Sequence, residues 1–441
     1  MKTVATLLML TVLLPINLTV TASALLMRFI GQFLPTNKAR MVADQPKTIL
    51  ISGGKMTKAL QLARSFRCAG HRVVMIEGHK YWLTAHRFSR AVDCFFTVPE
   101  ASANGYAEAL LAIVKRENVD IYIPVCSPAS SLYDSLAMKL LAPYCGVVHV
   151  DEAQIETLDD KYKFAKAAQA LGLRVPRSYL ITDPAQVETF DFAKERRPLV
   201  LKSIKYDSVR RLDLTKLPLA TPQETSAFAR SLPISAENPW VMQEFIEGIE
   251  FCTHGTFING ELRVHCCCES SSFQVNYANV DKPAIAAWVR TFGQQLQLTG
   301  QASFDFIQAH DDGQAYAIEC NPRTHSAVTM YYNHPDLATA YLGRSPQAGA
   351  IQPLASSKPT YWLYHEVWKL ITGLGSLRTV KQALLTIWRG KDAVFDWQDP
   401  LPFFMLHHWH IPLLLLRDLK SQRGWIRIDF NIGKLVQAGG D

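Results

Sequence analysis

The 441-residue chain has no GxxxxGK[ST] loop, no GxGxxG fingerprint and no CxxC pair. These absences remove the P-loop nucleotide-binding proteins, the dinucleotide-binding enzymes of the simple fingerprint type and the paired-thiol redox and zinc proteins. Charge is scarce as well: Asp, Glu, Lys and Arg make up 19% of the residues, and 46 basic against 39 acidic side chains leave +7. So small an excess gives no reason to expect nucleic acid, although it suits an anionic ligand or a membrane surface. The nine cysteines follow no framework spacing and read as reduced thiols of a cytosolic protein. Cys266, Cys267 and Cys268 are consecutive, so in a strand they alternate faces and do not share one metal.

Between Val4 and Met27 there is no charge at all, and 17 of those 24 residues are apolar. A bilayer needs roughly 20. Ala22-Ser23-Ala24 resembles a cleavage site, but only Lys2 marks an n-region, and Arg28, Lys38 and Arg40 follow the segment. Residues 1–30 are therefore expected to be an uncleaved anchor that keeps the rest of the chain on the cytoplasmic side. Pro15 and Asn17 leave room for a half-inserted segment.

What is present begins at Thr48 with a βα rhythm. "TILIS" reads as a buried strand, Gly53-Gly54 as its turn and Met56 to Ala69 as an amphipathic helix stopped at Gly70. "RVVMIE" (72–77), a strand within 92–98 and "VDIYIPV" (119–125) continue the pattern. Continuous apolar strands separated by helices predict a Rossmann-like parallel sheet over residues 47–150. The loops at the strand ends offer Gly53, Gly54, Lys55, His79, Ser127 and Ser130. They are either plain tight turns or an anion- or substrate-binding rim.

From Asp159 the texture is α+β. "RPLVLKSI" (197–204), "WVMQEFIEGIEF" (240–251) and two hairpins turning at Asn259-Gly260 and Asp312-Gly313 predict antiparallel sheets across 151–345. Beyond 360 lie six of the nine tryptophans, among Arg378, Lys381, Arg389 and Lys391, together with the apolar run "LPFFMLHHWHIPLLLL" (401–416). Residues 360–441 are either a packed subdomain or a membrane interface. His407, His408 and His410 have no carboxylate or thiol partner nearby in sequence, so no metal site is expected there.

The chemistry concentrates in "AIECNPRTHS" (317–326). Glu319, Asn321 and Arg323 are two residues apart, hence on one face of an extended chain. With a turn at Asp311-Asp312, Asp305 is expected opposite Ile318 and beside Glu319. Two carboxylates and an amide carbonyl are hard oxygen ligands of the kind Mg2+ takes together with substrate phosphates, and Arg323 would add charge at a phosphoryl group. Lys202 ends a buried strand, where a lysine needs a partner such as a polyphosphate. Lys161, at a helix start, is a phosphate contact or a solvated helix end. The backbone of "MQEFIEG" is a candidate for an adenine edge, with Gln243 or Glu244 taking the exocyclic amine and Glu250 the ribose.

Taken in order, Lys161, Lys202, Gln243-Glu244-Phe245-Ile246, Glu250, Asp305, Glu319, Asn321 and Arg323 resemble the ATP-grasp superfamily. The resemblance implies ATP and Mg2+ as cofactors and a two-subdomain ATP-grasp fold after the parallel sheet. In it Asp305, Glu319 and Asn321 would hold magnesium, Lys161 and Lys202 the phosphates, and the hinge backbone adenine. "ILISGGKMTKALQLARSF", "KSIKYDSVRRLDLTKLP", "AIECNPRTHSAVTMYYNHP" and "IDFNIGKLV" are further similar to the mycosporine-glycine synthase family of ATP-grasp ligases. That likeness implies phosphorylation of 4-deoxygadusol, then displacement of phosphate by glycine. The stretch after Lys202 lacks the glycine-rich loop common in the superfamily; Arg210 and Arg211 stand there instead, as a phosphate or carboxylate clamp or a solvated turn. His325 either contacts the acceptor or caps the chain. Two other readings stay open: a ligase that makes an acyl phosphate on a carboxylate acceptor, and a membrane-associated ATP-binding protein without turnover.

Overall fold

The computed structural model describes residues 2–31, 45–125, 127, 130–204, 210, 213–270, 276–343, 349–421 and 424–437. Strands β1 (Thr48–Ile51), β2 (Arg72–Gly78), β3 (Cys94–Val98), β4 (Ile121–Ile123) and β5 (Gly146–Val147) form one parallel sheet in the order β3-β2-β1-β4-β5. Ile49 and Ile51 enter one apolar core while Leu50 enters another. Both faces of β1 are therefore covered, which is why it reads as an unbroken apolar run. The strand order reverses between β1 and β4, so their carboxyl ends open a crevice. Gly53 makes the turn there with φ +70°, and a Cβ on it would lie 2.5 Å from the Val125 carbonyl oxygen. Only glycine fits that approach.

A second sheet of β6 (Ser178–Ile181), β7 (Leu199–Ser203), β8 (Lys216–Leu217) and β9 (Trp240–Glu244) is antiparallel, in the order β6-β9-β7-β8. A third holds β10 (Gly248–Ile258), β11 (Glu261–Glu269), β13 (Gly300–Ala309) and β14 (Ala315–Asn321), in the order β11-β10-β13-β14. The short β12 (Asn276–Tyr277) pairs instead with Thr360–Tyr361, which lies beside Lys391–Asp392 and so draws the C-terminal region onto the centre of the chain. Asn259 and Gly260, both with positive φ, close the β10–β11 hairpin in two residues.

Behind the third sheet the helices Lys161–Ala170 and Pro283–Gln295 bury Phe164, Trp288 and Phe292 against Phe304 and Phe306. Trp288 stacks on Phe292 at 5.0 Å between ring centres, and Phe164 meets Phe292 edge-on at 5.5 Å. This aromatic block is the rigid backing of β13.

The C-terminal apolar run turns its bulk inward: Phe403, Leu406, Ile411 and Leu415 belong to the core shared with β1 and the helix Thr57–Cys68. Trp362 is buried too, donating to Thr57 Oγ1 at 3.1 Å, and Arg64 pairs with Asp399 at 2.9 Å. Trp368, Trp388, Trp397 and Trp409 remain exposed. The helix Lys2–Gly31 is, among the described residues, long and apolar enough to cross a membrane by length and composition, with a mean hydropathy of 2.0 over its most apolar window.

Phe292→Ala should destabilise the protein by about 3–5 kcal/mol, because it leaves a cavity between aromatic neighbours that cannot collapse. Denaturant unfolding monitored by Trp fluorescence tests this; a loss below about 1 kcal/mol would show that the block is plastic.

Candidate active site

β13 and β14 set the register. The sequence places Asp305 opposite Ile318; in the structure Asp305 pairs directly with Glu319, because a β-bulge between Asp305 and Phe306 leaves Ile318 without an opposite number. The bulge adds one residue to β14 and turns a diagonal pair into a facing one. A turn-based count has no way to detect such an insertion. Like charges facing each other across a sheet repel, and the pair resolves this by unequal protonation. Burial first, then the Glu319 charge, raises the Asp305 carboxyl well above the usual range. Burial would raise Glu319 too, but Lys161 and Lys202 outweigh it and bring its carboxyl down to about 2. The two carboxyls thus shift in opposite directions, Glu319 toward its charged form and Asp305 toward its protonated one.

Each cation has a local reason for its place. Asp160 caps the helix Lys161–Ala170, accepting from the amides of Tyr162 and Lys163, and so starts the helix at Lys161. The Lys161 ammonium reaches Glu319 Oε2 at 3.3 Å. Lys202, near the end of β7, donates to Gln243 Oε1 at 2.9 Å. Burial lowers its ammonium below the ordinary lysine range, opposed by Glu319. Arg323 folds back on Asn321, donating to its Oδ1, and lies 3.9 Å from Asp159, a partner the sequence reading missed although it stands beside Asp160 and Lys161.

Asn321 donates its own amide to Asp305 Oδ2 at 3.3 Å, while Asp305 Oδ1 is buried with no hydrogen-bond partner among the described residues. An unpartnered buried carboxylate oxygen facing a second carboxylate fits a small hard cation, which would take the place of the shared proton. As it stands Asn321 turns its amide nitrogen to Asp305 and its oxygen to Arg323, so it would join a cation only once both of these bonds rearrange. Among the described residues no group of three His, Cys, Asp or Glu could hold a metal unaided.

The connector from β9 to β10 separates residues that the sequence treats together. Gln243 faces the site: its Nε2 lies 3.3 Å from Ser178 Oγ and 3.5 Å from the Ile318 carbonyl, so its carboxamide orients Lys202. Glu244 points to the opposite face, where its buried carboxylate meets Arg197 at 3.4 Å and the Arg177 amide at 3.2 Å. Neither side chain is therefore open to an exocyclic amine. The Glu244 and Phe245 amides are held by the carbonyls of Arg177 and Pro198, both at 2.8 Å. Phe245 is half-buried under the Lys216 ammonium, Ile246 is buried and Glu250 is exposed. Arg210 is exposed, and Arg211 lies outside the described residues.

His325 caps the short turn Ser326–Tyr331 through its Nδ1, which accepts from the Ala327 amide at 3.3 Å. The exit of β14 is fastened to the first sheet's helices: Lys58 donates to the Thr324 carbonyl at 2.6 Å and Ser131 to the Pro322 carbonyl at 3.0 Å. One and two residues from these anchors, Ser130 and Met56 line a cavity of about 300 Å³ at the carboxyl ends of β1, β2 and β4. Lys55, Ser127 and Ser130 line it as well, with Glu77, which pairs with Lys55 at 3.0 Å. Glu77 was legible as the lone acid closing the apolar run "RVVMIE". His79 instead meets Thr97 Oγ1 at 2.9 Å and is not among the lining residues.

No protein-family model matches the chain, and no curated protein matches it in sequence. Solved structures match its fold. N5-carboxyaminoimidazole synthetase from Staphylococcus aureus complexed with ADP is 17% identical, with a TM-score of 0.52 over 73% of this chain and 82% of that one. The biotin carboxylase–βγ-ATP complex from Campylobacter jejuni is 14% identical, with a TM-score of 0.53 over 69% and 72%. The biotin carboxylase domain of the Hydrogenobacter thermophilus 2-oxoglutarate carboxylase, in complex with MgADP, ADP and bicarbonate, is 12% identical, with a TM-score of 0.50 over 64% and 65%. The fold is thus a multidomain α/β one with a parallel sheet, of the ATP-grasp type.

Glu319→Gln and Asp305→Asn should each weaken magnesium-dependent ADP binding at least tenfold in calorimetry. Asp305→Asn should leave denaturant stability within about 1 kcal/mol, since burial and the Glu319 charge already favour the neutral form of Asp305. Unchanged magnesium dependence in both variants would remove the pair from metal binding.

Proposed function

We propose that the chain is an ATP- and magnesium-dependent ligase that forms a carbon–nitrogen bond, with 4-deoxygadusol as acceptor and glycine as amine. The observation that carries the ATP chemistry is the Asp305–Glu319 pair, with one buried oxygen unpartnered and two lysines on its anionic member. Support for the substrates comes from the sequence likeness to mycosporine-glycine synthases; support for the nucleotide comes from solved neighbours that hold ADP, MgADP or an ATP analogue.

Lys161 and Lys202 would bind the phosphates, exchanging Glu319 and Gln243 respectively for phosphate oxygens. Asp305, Glu319 and Asn321 would hold magnesium, which supplies charge neutralisation on the transferred phosphoryl group. Arg323 would face the same group. The cavity between Lys55, Glu77 and Ser127 would hold the cyclohexenone. Its enol oxygen takes the γ-phosphoryl group and ADP leaves. Glycine's amine then adds to the vinylogous carbon, phosphate departs and the amine loses a proton, giving mycosporine-glycine. Phosphorylation is what makes the enol oxygen a competent leaving group. A cytoplasmic-side location and a membrane partner would rest on the N-terminal helix and the C-terminal region rather than on these residues.

A second reading has its own support. The bicarbonate in the 2-oxoglutarate carboxylase neighbour favours a carboxylate acceptor activated as an acyl phosphate. One assay separates the readings: protein, ATP, magnesium, glycine and 4-deoxygadusol should yield ADP together with a product absorbing in the near ultraviolet. ADP formed only with a carboxylate acceptor would establish the second reading. No ADP with any acceptor would leave a nucleotide-binding protein without turnover.

A further inference from the structure

The N-terminal helix Lys2–Gly31 does not stand away from the protein. Its stripe of Thr6, Leu10, Asn17, Thr21 and Ala24 is buried. Asn17, midway along it, donates its amide to the Tyr364 hydroxyl at 2.7 Å and meets His408 Nε2 at 2.7 Å. Near its start Thr3 accepts from the Trp425 indole at 3.0 Å, and the Lys2 ammonium sits 4.1 Å above that ring. The helix is roughly 45 Å long at 1.5 Å per residue, and both its start and its middle are bonded to the C-terminal region. A spanning helix would carry Asn17 into hydrocarbon and away from those partners, leaving a buried amide unsatisfied. What faces outward is mainly apolar, Val12 and Ile16 among it, with Thr11, Thr19 and Ser23 between.

A second exposed apolar patch lies on the helix that holds Asn17 and its neighbour. Tyr364, which holds Asn17, lies on the helix Leu363–Thr372. That helix packs as a hairpin on Leu377–Arg389. The hairpin tip exposes Leu374 and Leu377, the latter at 89%, and Leu384 and Trp388 follow Leu377 at helical spacing, Trp388 at 77%. No acid occurs between residues 367 and 391; Lys369 and Lys391 pair with Glu366 and Asp396 just outside that stretch, and Arg378, Lys381 and Arg389 are exposed within it. The N-terminal helix likewise contains no acid. An exposed apolar stripe with tryptophan and flanking basic residues has the composition of an interfacial helix on anionic lipid.

We infer that the N-terminal helix and the 363–389 hairpin form one monotopic surface that lies in the plane of an anionic phospholipid bilayer, the N-terminal helix resting on the membrane rather than crossing it. This inference does not depend on the ligase reading. The test is cosedimentation of the full chain with vesicles of phosphatidylcholine, alone or mixed with phosphatidylglycerol. Binding should be at least tenfold tighter to the mixed vesicles, weaken in high salt and be released by alkaline carbonate. Leu377→Glu combined with Trp388→Glu, both at exposed positions, should reduce it at least tenfold with unfolding unchanged. Retention through carbonate would overturn the inference in favour of a spanning helix. Failure to bind vesicles, with a dimer in solution that the double variant dissociates, would assign the surface to a second copy of the chain. The lipid and salt dependence of the unaltered protein decides the matter even if the variant does not fold.

Discussion

Two carboxylates facing one another across a buried pair of strands form the constraint from which the site follows. Alone they could not both ionise, because burial and mutual repulsion act in the same direction. Asp305 shifts toward its protonated form, and Glu319 toward its charged form beside Lys161 and under the charge of Lys202. The rest of the local structure serves that balance. Asp160 begins a helix where Lys161 can reach, Gln243 fixes the direction of Lys202, and the aromatic block of Phe164, Trp288, Phe292 and Phe304 keeps β13 from shifting under the strain.

Much of this was legible in the sequence because it depends on local pattern. The apolar runs of β1, β2 and β4 announced a sheet buried on both faces, and Asn259-Gly260 announced its hairpin. The two-residue spacing of Glu319 and Asn321 announced a shared face. What was not legible depends on tertiary geometry. The bulge at Ile318 altered the pairing by one residue. The apolar density of residues 401–416 gave no indication that Phe403, Leu406, Ile411 and Leu415 point inward, because periodicity does not say which surface covers a face.

Gln243 and Glu244 show a finer limit. Adjacent residues in a strand address opposite sides of the sheet. A motif that names both cannot assign both to one ligand. Gln243 belongs to the side of the Asp305–Glu319 pair through Lys202, and Glu244 to a cluster with Arg177 and Arg197 that ties β9 to neighbouring elements.

The fastening of the β14 exit by Lys58 and Ser131 makes the site mechanically lopsided. Asp305, Glu319 and Lys161 all sit on elements joined to the third sheet, whereas Lys202 sits on the second and touches the third through the carboxamide of Gln243. A rocking of the second sheet therefore changes the distance from Lys202 to the carboxylates and leaves that of Lys161 fixed. One lysine is a stationary charge, and the other is a charge on a lever.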